Sequence, residues 1–227
     1  MNSLVVINPN SSERVTKGIE AAVAPLERFG VPISCVTLSE GPPAIESQMQ
    51  ADLTVAPLLK LAKQHPHAAG FVIACFGDPG LHALRDLVGV PVVGVQEAAV
   101  TMSLTLGQRF GVIAILPASV PRHLRAFGAM GMRDRLAGDR ALGSGVAELA
   151  DADKTLSAMI RTGTALRDED GADVLIMGCA GMAGYREALE DALGVPVVEP
   201  CQAGVALAMS QIVLGYSKAK AGARNAG

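Results

Sequence analysis

Residues 72–80 read VIACFGDPG and residues 175–184 read LIMGCAGMAG. Each is an apolar run that ends at a cysteine, Cys75 or Cys179, and opens into a glycine-bearing loop. Short apolar runs bounded by glycine have the pattern of buried strands. The likeness extends downstream, where GVPVV occurs at 89–93 and again at 194–198, and upstream, where GPPAIE at 41–46 answers GSGVAE at 143–148. Each upstream stretch is a glycine-bearing turn that ends in a glutamate, Glu46 or Glu148. The chain therefore reads as a duplicated half, with one thiol at the carboxyl end of each equivalent strand.

Outward from these segments, strand-like runs alternate with helical patterns. Runs at 4–7, 33–36, 71–74 and 90–93 are strands of the first half, and 110–116, 174–177 and 195–198 are strands of the second. Val15, Ile19, Ala22, Val23 and Leu26 form the apolar stripe of a helix, and further helices fall near 150–168, 183–193 and 201–215. Alternation of this kind predicts an α/β fold with parallel sheets and right-handed crossovers. Two lobes are expected, 1–105 carrying Cys75 and 106–216 carrying Cys179, with the last helix free to pack back on the first lobe. The segment 217–227, SKAKAGARNAG, has no apolar period and reads as a frayed tail. Ligands of open parallel sheets lie beyond the carboxyl ends of the strands, where both cysteines fall.

Composition limits the function. Of 227 residues, 50% are apolar, 18% charged and only 3% aromatic, without Trp, so the core is built from Val, Leu, Ile, Ala and Met, as suits buried parallel strands. A net charge of −3 supplies no basic stripe for nucleic acid. No apolar run reaches the roughly 18 residues of a membrane span, and the run at 4–7 is too short for a signal peptide, so a soluble cytoplasmic protein is expected. The expected partner is a small-molecule substrate, with no nucleic acid and no membrane, and homo-oligomer formation is left open. Cys35, Cys75, Cys179 and Cys201 are too scattered for a CxxC site and read as free thiols. His65 and His67 flank Pro66 with no third ligand nearby, so they read as a solvated loop and no metal is indicated.

Cys35, midway along a strand, reads as a small buried hydrophobe. Cys201 aligns with Gln96 in the first repeat, lacks a symmetric partner, and reads as structural or at most pocket-lining. Cys75 and Cys179 each precede a helix N-terminus, whose dipole is expected to lower a thiol pKa from about 8.5 toward neutrality. Two facing thiols, one a base and the other an acid, can take a proton from one face of a carbon and return it to the other. Asp78 and Pro79 read as the cap and first residue of the next helix. Residues 77–80 lack both the Walker pattern and GxGxxG, so no nucleotide is implied. His82 reads as a partly exposed helix residue. After the first strand come Asn8, Asn10, Ser11 and Ser12; Ser11 or Ser12 is expected to cap the following helix, and Asn8 to hold a carbonyl oxygen as it gains charge.

Taken together, VINPNSS at 6–12, GPPAIES at 41–47, VIACFGDPGL at 72–81, VPVVGVQEAA at 90–99 and GCAGM at 178–182 resemble the hydantoin racemase branch of the aspartate/glutamate racemase superfamily, which includes allantoin racemase. The resemblance covers nearly the whole chain. It implies two pseudo-symmetric flavodoxin-like lobes with the active site in the cleft between them, and racemisation of a 5-substituted hydantoin or of allantoin without metal or cofactor. It further implies that Cys75 and Cys179 are the acid/base thiols. By the same resemblance Asn8, Ser11, Ile45, Phe76, Gly77, Ala180, Gly181 and Met182 line or polarise the substrate site, while Asp78 and Glu97 support it from behind. The stretch 131–150 departs most from the hydantoin enzymes, which leaves the ring substituent open. Relatives of this scaffold also isomerise maleate or decarboxylate arylmalonates, and a two-lobed binding protein would need no matched thiols.

Overall fold

A computed structural model describes residues 2–143, 146 and 151–217. In the first half β1 (Leu4–Asn8), α1 (Glu13–Val23), β2 (Ile33–Thr37), α2 (Gln48–Leu53), α3 (Val55–Lys63), β3 (Gly70–Ile73), α4 (Leu81–Leu87), β4 (Val92–Gly94) and α5 (Val95–Ser103) follow one another. In the second half come β5 (Phe110–Ala114), α6 (Val120–Ala129), β6 (Leu136–Ala141), α7 (Ala152–Asp168), β7 (Val174–Met177), α8 (Arg186–Leu193), β8 (Val197–Val198) and α9 (Pro200–Val213). The two sheets have the same order, β2-β1-β3-β4 and β6-β5-β7-β8, and every neighbouring pair is parallel. The duplication seen in the sequence is thus a duplication of topology.

The central strands β1, β3, β5 and β7 are wholly buried, which is why their sequences are continuous apolar runs. Side chains still sort by the period of two. Leu4, Val6 and Val72 join a core that continues into the second lobe through Val112 and Ile176, whereas Val5, Ile7, Phe71 and Ile73 pack with Leu58 and Leu84 on the opposite face of the first sheet.

Two helices join the lobes. α5 leaves the first sheet and touches β7 and β8 of the second, while α9 leaves the second sheet and lies against β1, β3 and β4 of the first. They also pack on each other. Gly204 of α9 is where this packing is closest: a Cβ there would lie 3.0 Å from Val95 and 3.2 Å from Val72.

β6 is a strand that the apolar pattern did not announce. It is an edge strand, half-buried along its length, with the sequence LAGDRA. Its alternation is carried by charges. Asp139 turns inward to His123, and Arg140 turns outward to Glu169 and Asp170 at 2.8 and 2.7 Å. The turn expected to end in Glu148 lies outside the described residues, as does the tail beyond residue 217. Among the described residues no helix is long and apolar enough to cross a membrane.

Substituting Gly204→Val forces a branched side chain between α9 and the first sheet. The expected cost is about 1–3 kcal/mol, read as a lower urea midpoint with an unchanged slope.

Candidate active site

The strand ladder delivers both cysteines to the same place. Beyond β3, the Ala74 N–H donates to the Ile7 carbonyl at 2.8 Å, and beyond β7 the Gly178 N–H donates to the Ile113 carbonyl at 2.8 Å. Cys75 and Cys179 are the next residues. Glycine is required at 178, because a Cβ there would sit 2.8 Å from the Ile113 oxygen. Both cysteines line one cavity, about 460 Å³ including its open mouth, together with Asn10, Ile45, Phe76, Arg122, His123, Val146, Ala180 and Gly181. The corresponding upstream loops meet at its rim, where the Glu46 carboxylate accepts the Val146 N–H at 2.9 Å. Among the described residues no cluster of three His, Cys, Asp or Glu is placed to hold a metal ion.

The two thiols are held differently. Cys179 stands at the head of a 3-10 turn, Ala180–Tyr185, and its Sγ accepts the Gly181 N–H at 3.3 Å. Cys75 is followed by a loop in which Gly77 and Asp78 both have positive φ, 131° and 48°. The left-handed conformation at Asp78 is unusual for a residue with a side chain. It turns the carboxylate away from its own helix: Asp78 accepts N–H bonds from Gln96 and Glu97, both at 2.9 Å, and so caps α5. The expected cap on the next helix is therefore corrected. α4 starts at Leu81 after Gly80, without a side-chain cap, and Pro79 lies before it. Gly94 makes room for the swap, since a Cβ there would fall 2.2 Å from the Asp78 carboxyl carbon. In the second half the equivalent position is Glu199, which caps α9 with its own side chain by accepting from Cys201 and Gln202. Burial raises both acids to about 7 against the pull of their N–H donors.

Burial also decides the thiols. Cys179 is pushed up to about 11, with the Gly181 N–H working against that rise and Glu46 adding to it. Cys75 is pushed far above the ordinary thiol range by burial, then by the nearby Cys179 and Asp78 charges, and only Arg122 opposes them. The expected lowering by helix dipoles is overturned by desolvation. A charge on Cys179 opposes ionisation of Cys75 in the same cavity, so the pair does not carry two charges.

Asn8 is also corrected. It is 1% exposed, and its Nδ2 lies at 3.0–3.1 Å from the Asn10 Oδ1, the Ser12 carbonyl and the Thr16 hydroxyl. That amide is consumed in shaping the loop after β1. Asn10 is the one that reaches the cavity. Its Oδ1 accepts from Asn8 and from the Ser12 N–H, which fixes the orientation of the amide and leaves Nδ2 without a partner among the described residues. Ser12 caps α1. Ser11 gives its N–H to the Pro42 carbonyl and lies off the cavity. Met182 is 0% exposed and belongs to the core rather than the lining. Ile45, Phe76, Ala180 and Gly181 are in the wall, while Gly77 borders an adjoining groove with Gln48, Asp52 and Arg125. Glu97 stands behind the Cys75 loop, paired with Arg85 at 2.7 Å. Cys201 is buried and Cys35 only half so.

A family model described as Asp/Glu/hydantoin racemase matches residues 4–208. The chain belongs to this family. Hydantoin racemase of Paenarthrobacter aurescens is 38% identical over 224 residues, covering 96% of this chain and 94% of that protein. Among solved structures, allantoin racemase from Klebsiella pneumoniae superposes with a TM-score of 0.89 at 31% identity over 98% of this chain and 92% of the other. Allantoin racemase from Pseudomonas fluorescens gives 0.92 at 29% identity over 96% and 94%. The chain is thus a racemase-type enzyme.

Three wall residues of this racemase have little or no local signal in the sequence. Asn10 is one of several polar residues after β1. Arg122 and His123 sit on α6, the topological counterpart of α1, in a stretch whose sequence carries no visible repeat or motif. Arg122 bonds the Ser119 hydroxyl at 3.1 Å, and His123 packs edge-on against Phe76 with ring centroids 4.9 Å apart. Their only sequence signal was two adjacent basic residues in a helix with an apolar inner face.

Removing the cross-cap by Asp78→Ala is expected to cost about 0.5–2 kcal/mol, seen as a lower melting temperature, and to loosen the Cys75 loop to proteolysis. Because folding raises the Cys179 pKa, its thiolate fraction in the free enzyme grows about tenfold per pH unit until about pH 11. Iodoacetamide labelling followed by peptide mass spectrometry is expected to rise accordingly; a plateau near pH 8.5 would contradict the burial argument.

Proposed function

We propose that this enzyme racemises a 5-substituted hydantoin or allantoin, using Cys75 and Cys179 as its two proton-transfer groups and no cofactor. The reading rests on one observation above others: two thiols from equivalent loops of a duplicated fold line a single cavity. The hydantoin and allantoin racemases to which the chain is similar supply the substrate class.

One thiolate removes the proton from the ring carbon beside the carbonyl. The C–H bond breaks, an S–H bond forms, and the electron pair is delocalised onto the carbonyl oxygen as an enolate. The Asn10 Nδ2, left unpartnered toward the cavity, and N–H groups of the cysteine loops are the donors available to that oxygen; one such donor is worth roughly 3–4 kcal/mol in comparable sites. The opposite thiol then gives its proton to the other face of the carbon. Thiol and thiolate have exchanged places, ready for the reverse turnover.

The raised thiol pKa values suit this scheme in two ways. A thiolate with a high pKa is a strong base for a weak carbon acid. Coupling between the sulfurs keeps the second one protonated while the first is ionised, so the cavity holds one base and one acid. Substrate binding and Arg122 have to supply the stabilisation that lets a thiolate form at neutral pH.

Polarimetry on single enantiomers of several 5-substituted hydantoins and of allantoin tests the reading, with optical rotation decaying to zero as the expected result. Cys75→Ser and Cys179→Ser are each expected to abolish racemisation. In deuterated solvent one enantiomer of the substrate is expected to keep exchanging its ring hydrogen in each single variant, and wild-type racemisation by both variants would defeat the two-thiol scheme.

A further inference from the structure

The buried pair His123–Asp139 is the most elaborate polar feature of the site that the two-thiol scheme leaves unused. His123 is 2% exposed, and its Nδ1 lies 2.9 Å from the Asp139 Oδ2, whose side chain is 1% exposed. The imidazole is clamped further by Phe76, edge-on at 4.9 Å, and by Phe127 at 6.1 Å. A ring fixed on three sides has one hydrogen-bonding atom left. Nε2 has no partner among the described residues, and His123 lines the cavity that holds both thiols.

Asp139 engages Nδ1 and fixes the plane of the ring, so Nε2 is the ring atom free to meet a molecule in the cavity that His123 lines. With a proton on Nε2 it is a donor that has no acceptor among the described residues.

We infer that His123 is a substrate-contacting residue whose Nε2–H, oriented by Asp139, donates to an oxygen of the substrate ring and strengthens as that oxygen gains charge. This rests on the racemase reading above and adds a donor from α6 to the cavity wall. Asp139 is then a positioning residue, and the departure of the β6 sequence from an apolar strand has a purpose.

The test compares His123→Leu, which removes the donor, with His123→Gln, whose amide can place an N–H near the position of Nε2. The double variant H123L/D139L serves as a folding control, since removing both partners leaves no stranded carboxyl. Variants are first matched for melting temperature, then assayed by polarimetry. The expected result is a fall in kcat of about 10²–10³-fold in H123L and H123L/D139L, with KM changed less, and partial recovery in H123Q. In ¹⁵N-labelled wild-type protein, a ring N–H resonance that is lost in H123L is expected to shift on adding 5-methylhydantoin or allantoin. Wild-type kcat in a folded H123L or H123L/D139L, or equal loss in the Leu and Gln variants, would overturn the role of His123 while leaving the racemase reading intact. A wild-type enzyme inert toward every hydantoin and allantoin, with no ring N–H shift, would remove both.

Discussion

Two carboxylates, Asp78 half-buried and Glu199 buried, hold the heads of the helices that join the lobes, and most of the site depends on them. α5 and α9 start at the carboxyl edge of their sheets, pack on each other and cross to the opposite lobe. A helix end buried there has orphan N–H groups that water cannot reach. Asp78 and Glu199 satisfy them, each with two bonds. Asp78 is itself part of the Cys75 loop, so the bonds that cap α5, a helix packed on the second sheet, also hold that loop in place.

Much of this could be read from the chain. Buried parallel strands must be apolar on both faces, so β1, β3, β5 and β7 stood out as continuous runs, and their repetition with a cysteine after β3 and β7 gave both the duplicated topology and the two thiols. β6 did not stand out because an edge strand can spend its inward position on Asp139 when a histidine waits for it. Local signals are weakest where the partner is remote.

The same limit explains the corrections. Asp78 before Pro79 has the local pattern of a helix cap, yet its acceptors meet N–H groups 18 and 19 residues away, and only the absence of a Cβ at Gly94 hints at the intrusion. Asn8 follows a buried strand as an oxyanion donor would, but the chain folds its amide back on itself, and it is Asn10 that lines the cavity. The thiol pKa values depend on how completely two lobes enclose a cavity, a quantity that no stretch of sequence carries. Arg122 and His123 belong to the site through the packing of α6 over that cavity.

The duplication is imperfect at one instructive point. Glu199 caps its helix from within its own strand end, whereas Asp78 does the equivalent duty from the Cys75 loop and so straps that loop to the scaffold. Cys179 has no such strap and instead takes an N–H from its own turn. The internal twofold is therefore broken at the two cysteine loops, and under the proposed two-thiol scheme the two mirror-image substrates meet unlike bases. For enantiomers in water the equilibrium constant is one, so the Haldane relation holds kcat/KM equal in both directions. The asymmetry of the two loops can surface only as matched differences in kcat and KM, with the enantiomer that is turned over faster also having the higher KM.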